Sequence, residues 1–236
     1  MVQIKNLSYS YNACINVLEN ITLTLPEGHI YGLLGRNGVG KSTLLKLLSG
    51  ALLGKGSYTI DGYDPRKRTA EMQQKIRLVP ENEAIFQCTI TQLAKVTSSL
   101  YPTFSQNIFN KAIHEFQVPT DLMLTRMSLG QQKKALISLS LACGTPYLFM
   151  DEPTNGMDIP SKSIFRKLVA SMADEKKTLI ISTHQVDDLE SLIDHVIILA
   201  PNGVLLNASL EEIYEKYGTE DLKEVFMQVT GTASNI

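Results

Sequence analysis

The chain has 236 residues, a formal charge of −2, and no basic run longer than Arg66-Lys67-Arg68, which argues against a surface that tracks a nucleic-acid backbone. Its length suits one domain, or one domain with a sizeable insertion, and roughly 70% of the unfolded surface is buried at that size. Cys14, Cys88 and Cys143 follow no disulfide or metal spacing, no apolar run approaches the ~18 residues needed to span a bilayer, and the N-terminus lacks a signal-peptide pattern. The expectation is a cytoplasmic chain in a reducing compartment. If it works at a membrane, another polypeptide supplies the spans.

Val2 to Ser8 alternates like an edge strand, and Ile21 to Leu25 alternates again before a Pro26-Glu27-Gly28 turn. Ile30 to Leu34 reads as a buried strand and Ser42 to Leu48 as a helix, with Gly50 placed to end it. Gly56 to Ile60 is a short strand closed by an Asp61-Gly62 turn, and Ile76 to Val79 is a strand stopped by Pro80. From Thr89 to Cys143 the spacing is helical only. Leu93, Val96 and Leu100 share one face, Ile108, Ala112 and Phe116 a second, and Leu136, Leu139 and Cys143 a third. Tyr147 to Met150 and Thr178 to Ile181 are continuous apolar runs, the mark of parallel strands covered on both faces. Val196 to Leu199 and Val204 to Leu206 flank an Asn202-Gly203 hairpin signal, and a helix from Leu210 to Tyr217 ends at Gly218. The expected organisation is an α/β core from 1–85 and 145–210, an all-helical subdomain at 86–144, and a tail at 211–236.

Gly35-Arg36-Asn37-Gly38-Val39-Gly40-Lys41-Ser42-Thr43 has the G-x-x-x-x-G-K-[S/T] spacing of a phosphate-binding loop, in its required place between a strand and a helix. The glycines let backbone N–H groups turn toward phosphates, and the helix N-terminus favours negative charge. Lys41 would reach the β- and γ-phosphates, Ser42 would hold Mg²⁺, and Thr43 would add a phosphate contact. In Tyr147-Leu-Phe-Met-Asp151-Glu152, four apolar residues place Asp151 at the C-terminal end of a central strand, where open α/β sheets bind ligands. Asp151 would coordinate Mg²⁺ opposite Ser42, and Glu152 is the candidate general base.

Met127-Ser128-Leu129-Gly130-Gln131 lies at the start of the third insert helix, Asp151-Glu-Pro-Thr-Asn-Gly-Met-Asp158 extends the acidic motif, and His184 follows the strand ending at Ser182. This order of motifs resembles the nucleotide-binding subunits of ATP-binding cassette (ABC) proteins, and the likeness runs through nearly the whole chain. The resemblance implies an α/β P-loop ATPase core with a mixed, mostly parallel sheet, an N-terminal antiparallel β portion and an inserted helical subdomain. It further implies ATP and Mg²⁺ as ligands, integral membrane transporter subunits as partners, and no nucleic acid. A head-to-tail dimer, with a second copy or a close paralogue, would sandwich two ATP molecules. Each ATP would meet one subunit's phosphate loop and the other's Ser128, Leu129, Gly130 and Gln131. His184 would contact the γ-phosphate and fix the water beside Glu152, and Asp158 would signal across the interface. The family stacks adenine on an aromatic residue, a place matched here by Tyr11; Tyr9 lies on the same face two residues earlier.

Two positions depart from the family pattern. Leu129 replaces a signature glycine, and Glu81 stands where a glutamine normally links Mg²⁺ to the membrane partner; a carboxylate can also ligate Mg²⁺. Leu78-Val79-Pro80-Glu81 and the tail Asp221 to Gly231 look like a large prokaryotic branch of exporter ATPases. In Asn82 to Gln87, the apolar Ile85 and Phe86 suggest a groove for a membrane subunit or packing of the insert onto the core. The leading expectation is an export ATPase on the cytoplasmic face of the cell membrane. The alternatives are an importer ATPase and a soluble ABC ATPase outside transport.

Overall fold

In the computed structural model, which describes residues 1–12, 15–82, 84–201 and 203–231, two sheets share a core with the helix 41–48. Cys14, Glu83 and the Asn202 of the hairpin signal lie outside the described residues. Strands β1 (Val2–Asn12), β2 (Ile15–Leu25) and β4 (Lys55–Ile60) form an antiparallel sheet in the order β2-β1-β4. The second sheet contains β3 (Ile30–Leu34), β5 (Ile76–Val79), β6 (Tyr147–Asp151), β7 (Thr178–Thr183), β8 (His195–Ala200) and β9 (Gly203–Ser209). Its order is β5-β6-β7-β3-β8-β9, parallel except for the antiparallel β8-β9 pair.

Period-two alternation divides the larger sheet between two cores. Tyr31, Leu33, Tyr147, Phe149, Ile180 and Ile197 pack with α1 (Lys41–Leu48) and the antiparallel sheet. Their neighbours Ile30, Leu34, Leu148, Met150, Leu179 and Ile181 join the core shared with the insert helices. Burial on both faces is what makes these strands continuous apolar runs in the sequence.

The insert supplies α3 (Ile90–Leu100), α4 (Gln106–Glu115) and α5 (Leu129–Ala142). Reciprocal capping boxes, Thr89 with Gln92 and Ser128 with Gln131, start α3 and α5. The buried stripe of α3 is Ile90, Ala94 and Thr97, whereas Val96 and Leu100 are exposed. That corrects part of the face expected from apolar spacing: Leu93 packs against the core beside Ile90, Ala94 and Thr97, while Val96 and Leu100 turn to the surface. A second correction concerns β1, which is the central strand of its sheet and runs on to Asn12. Alternation reports which faces are buried and carries no information about which hydrogen-bonding edges are paired. Sequence periodicity also missed α2 (Ala70–Lys75) and α6 (Ile159–Ala170), the latter capped by Asp158. Helix α7 (Leu210–Tyr217) ends at Gly218 with φ +68°, and α8 (Leu222–Thr230) buries Leu222 and Val225.

Phe149 is fully buried in β6. Phe149→Ala is expected to cost about 3–5 kcal/mol, read as a lower urea midpoint, and a loss below about 1 kcal/mol would contradict its central packing.

Candidate functional site

Loop 35–40 leaves the C-terminal end of β3 and enters α1. Two of its glycines are fixed by close approach. A Cβ at Gly35 would lie 2.6 Å from the Leu199 carbonyl oxygen, and one at Gly40, where φ is +104°, would lie 2.6 Å from Leu18 Cδ2. Asn37, Gly38, Gly40, Lys41, Ser42 and Thr43 line a cleft of about 400 Å³, with Tyr11 and Val17 beside them. Glu81, Glu152, Asn155 and His184 complete its lining. Gly35 and Val39 are buried beneath the loop, and Arg36 is exposed.

The charged groups converge because β6, β7 and β3 are neighbours in the sheet. Lys41 donates from Nζ to the Gly35 carbonyl at 2.7 Å and lies 3.5 Å from Glu152 Oε1, with both side chains buried. The other oxygen of that carboxylate meets His184 Nδ1 at 3.0 Å. Asp151 is also buried, and its Oδ1 accepts the Ser182 hydroxyl at 2.6 Å. Glu152 occupies the left-handed region, φ +47°, which for a non-glycine residue costs ~1–3 kcal/mol and needs surrounding contacts to hold it. Its N–H donates to Ser182 at both the carbonyl and hydroxyl oxygens, and its carbonyl accepts from Lys133 Nζ at 2.8 Å.

Lys133 also donates to the Asn155 carbonyl at 2.9 Å, and Asn155 in turn donates from Nδ2 to Glu81 at 3.1 Å. Burial pushes the Lys133 ammonium below its ordinary value, while Glu81, Glu152 and Asp151 pull it back up. Tyr11 is exposed in the cleft, with its hydroxyl 3.2 Å from Thr43 Oγ1. Tyr9 meets that ring edge-on at 5.0 Å and packs against the core of the antiparallel sheet.

The remaining sequence-derived candidates lie elsewhere. Ser128 is exposed and caps α5 by accepting the Gln131 N–H at 3.3 Å, and Leu129 is 84% exposed. Leu129 and Gly130 line a second cleft of about 360 Å³ with Val79, Pro80 and Ile85; it shares Glu81 and Asn155 with the first. Asp158 lines neither cleft, and hydrogen bonds from Ser161 hold its carboxyl below the usual range.

A phosphate loop, an acidic strand end and a strand-end histidine thus share one cleft, and residues 18–155 match the family model for ABC transporter, more than half of the chain. The chain belongs to the ABC transporter family. It is an ATPase subunit of that family, which implies ATP binding. It is 29% identical over 239 residues to the lantibiotic transport ATP-binding protein SrtF of Streptococcus pyogenes, covering 96% of each chain. It is 28% identical over 241 residues to the petrobactin import ATP-binding protein YclP of Bacillus subtilis (strain 168), covering 96% of this chain and 92% of YclP. A solved structure of an ATP-binding subunit of an ABC transporter superposes with a TM-score of 0.86 at 22% identity, covering 98% of this chain and 99% of the other, which establishes the fold.

Sequence reasoning missed Lys133, Asn155 and Ser182 as parts of this ABC site. Asn155 and Ser182 lie inside segments already singled out, whereas Lys133 looks like any solvent-facing lysine one turn into a helix. Lys133→Met should fold and bind ATP with KM within about threefold of wild type, but lose kcat roughly 10- to 100-fold because Glu152 is no longer held in place. Lys133→Arg should restore part of the loss. An unchanged kcat in the methionine variant would remove Lys133 from the positioning network.

Proposed function

We propose that this ABC ATPase binds MgATP in the 400 Å³ cleft, dimerises on ATP with a second copy or close paralogue, and powers export through separate membrane-spanning subunits. The observation that carries the reading is the buried Lys41–Glu152 pair, which the exposed His184 joins from the cleft side, beside buried Asp151. Lys41 would move from the Gly35 carbonyl to the β- and γ-phosphates, and the loop N–H groups would surround the same oxygens. Glu152, freed from that lysine, would orient water and accept its proton. His184, bound to Glu152 through Nδ1, would fix the carboxylate and face the γ-phosphate. Tyr11 would stack on adenine, its exposed ring standing at the loop's edge.

The Ser42 hydroxyl and the Glu81 carboxylate line the cleft, and together with the Asp151 carboxylate they would supply an all-oxygen donor set that suits a hard cation; Mg²⁺ held there would neutralise phosphate charge. The exposed signature, Ser128 to Gln131, supports contact with ATP in trans: a helix N-terminus and a serine hydroxyl await an anionic partner. Asp158, at the cap of α6, would report on that interface.

No helix among the described residues is long and apolar enough to cross a membrane, and the proposed position is the cytoplasmic face of the cell membrane. Phe86 is 55% exposed next to Ile85 of the second cleft, which supports docking of a membrane subunit there, with the helical subdomain 86–144 forming part of the groove. Export is the first reading because Leu78 to Glu81 and the tail Asp221 to Gly231 resemble exporter ATPases. Import is the second reading, favoured by the likeness to YclP.

Glu152→Gln, purified from detergent-solubilised native membranes, should carry a polytopic membrane protein at near-equal amount, retain ATP, and turn over roughly 10²- to 10⁴-fold more slowly. Turnover near wild type would remove Glu152 as the base. Recovery only from the cytosol would overturn the transporter reading.

A further inference from the structure

The N-terminal end of β3 carries a second cluster of titratable groups, roughly 16 Å along the strand from the phosphate loop at about 3.3 Å per residue. His29 precedes β3, Asp194 precedes β8, and His195 begins β8, where it pairs with Tyr31. His29 Nδ1 lies 3.2 Å from Asp194 Oδ2, and His195 Nδ1 lies 3.3 Å from Asp194 Oδ1. The two imidazole rings are 4.2 Å apart, and one ligand atom from each of the three residues falls within 4.8 Å of the others. Two of the chain's four histidines therefore meet at one carboxylate, far from the chemistry that uses His184.

We propose that His29, Asp194 and His195 form a binding site for a divalent transition metal of the zinc class. The donor chemistry selects that class: imidazole nitrogens suit zinc and its neighbours, whereas magnesium prefers oxygen alone. The spacing leaves room for one ion. Bonds of 2.0–2.1 Å to a tetrahedral zinc place ligand atoms about 3.3–3.4 Å apart; His29 Nδ1 and His195 Nδ1 stand 3.2 and 3.3 Å from the two different oxygens of Asp194, so a small side-chain rotation would bring both nitrogens and one oxygen onto a single ion.

The ligands are also held by groups that do not themselves face the metal. Asp194 Oδ1 accepts the Ile30 N–H at 3.0 Å, and the Asp194 backbone bonds Ile30 through its N–H and Leu210 through its carbonyl. The His29 carbonyl accepts from Leu179, and the Tyr31 ring packs against both imidazoles, 6.0 Å from His29 and 5.2 Å from His195. Such outer contacts fix ring and carboxylate orientation in metal sites. Side-chain exposures of 34%, 51% and 21% leave room for water as a fourth ligand. A metal here would tie the start of β3 to the start of β8, so its binding would stabilise the fold without touching the nucleotide cleft.

The test is a titration of untagged, chelator-treated full-length chain with Zn²⁺, followed by calorimetry and thermal melting, and with Co²⁺, followed by visible absorption. The expected result is one zinc per chain, a higher Tm, and a tetrahedral Co²⁺ spectrum without the thiolate charge-transfer band that cysteine ligation would add. His29→Gln combined with His195→Gln should abolish all three and leave ATP binding intact. Asp194→Asn keeps an amide oxygen for the Ile30 N–H while removing the anionic ligand, so it serves if the double variant folds poorly. No saturable zinc binding to the wild type, or equal binding by wild type and variants, would overturn the site.

Discussion

The buried contact between Lys41 and Glu152 is the constraint around which the rest of the cleft is arranged. Removing two charges from water is costly, and removing one partner of such a pair leaves an uncompensated charge worth about 3–5 kcal/mol. The pair is tolerable because its polar atoms have further partners. Lys41 reaches a loop carbonyl, Glu152 also meets His184, and the Glu152 backbone is pinned by Ser182 and Lys133. Those residues come from β7, from the loop that follows it, and from α5, so the left-handed Glu152 depends on the order β6-β7-β3 and on the insert being docked.

That dependence links the chemistry to the helical insert. Helix α5 begins at the exposed signature and, one turn later, sends Lys133 to the Glu152 carbonyl. A partner that seats on Ser128 and Leu129 would therefore press on the same helix that holds the Glu152 backbone, and with it the proposed general base. Within one chain the cleft has a phosphate loop, an acid cluster and an aromatic platform, but the signature stands outside it. The proposed dimer resolves the separation: each cleft is completed by another copy.

The parts of this arrangement visible in the sequence were those set by local chemistry. Glycine spacing marks the phosphate loop, apolar runs mark β3, β6 and β7, and Gly218 ends α7 at the expected residue. The parts that were hidden depend on non-local pairing. Val2 to Ser8 alternates identically whether β1 sits at an edge or in the centre, and only its pairing with both β2 and β4 decides. Leu93, Val96 and Leu100 share a face in sequence, yet only Leu93 packs, beside the buried Ile90, Ala94 and Thr97. Lys133 and the His29–Asp194–His195 cluster become visible only when distant segments are brought into register. Spacing favours Tyr11 over Tyr9 without saying how either ring is packed, and the fold exposes the first ring and packs the second.

The most direct test of a site completed between two copies is the ATP hydrolysis rate of the purified chain as a function of its own concentration, with ATP saturating. A shared site predicts that the rate rises with nearly the square of chain concentration at low concentration, then becomes linear as dimers saturate. Activity per chain that stays constant across the whole dilution series, in a preparation shown to be monomeric with ATP bound, would contradict the account.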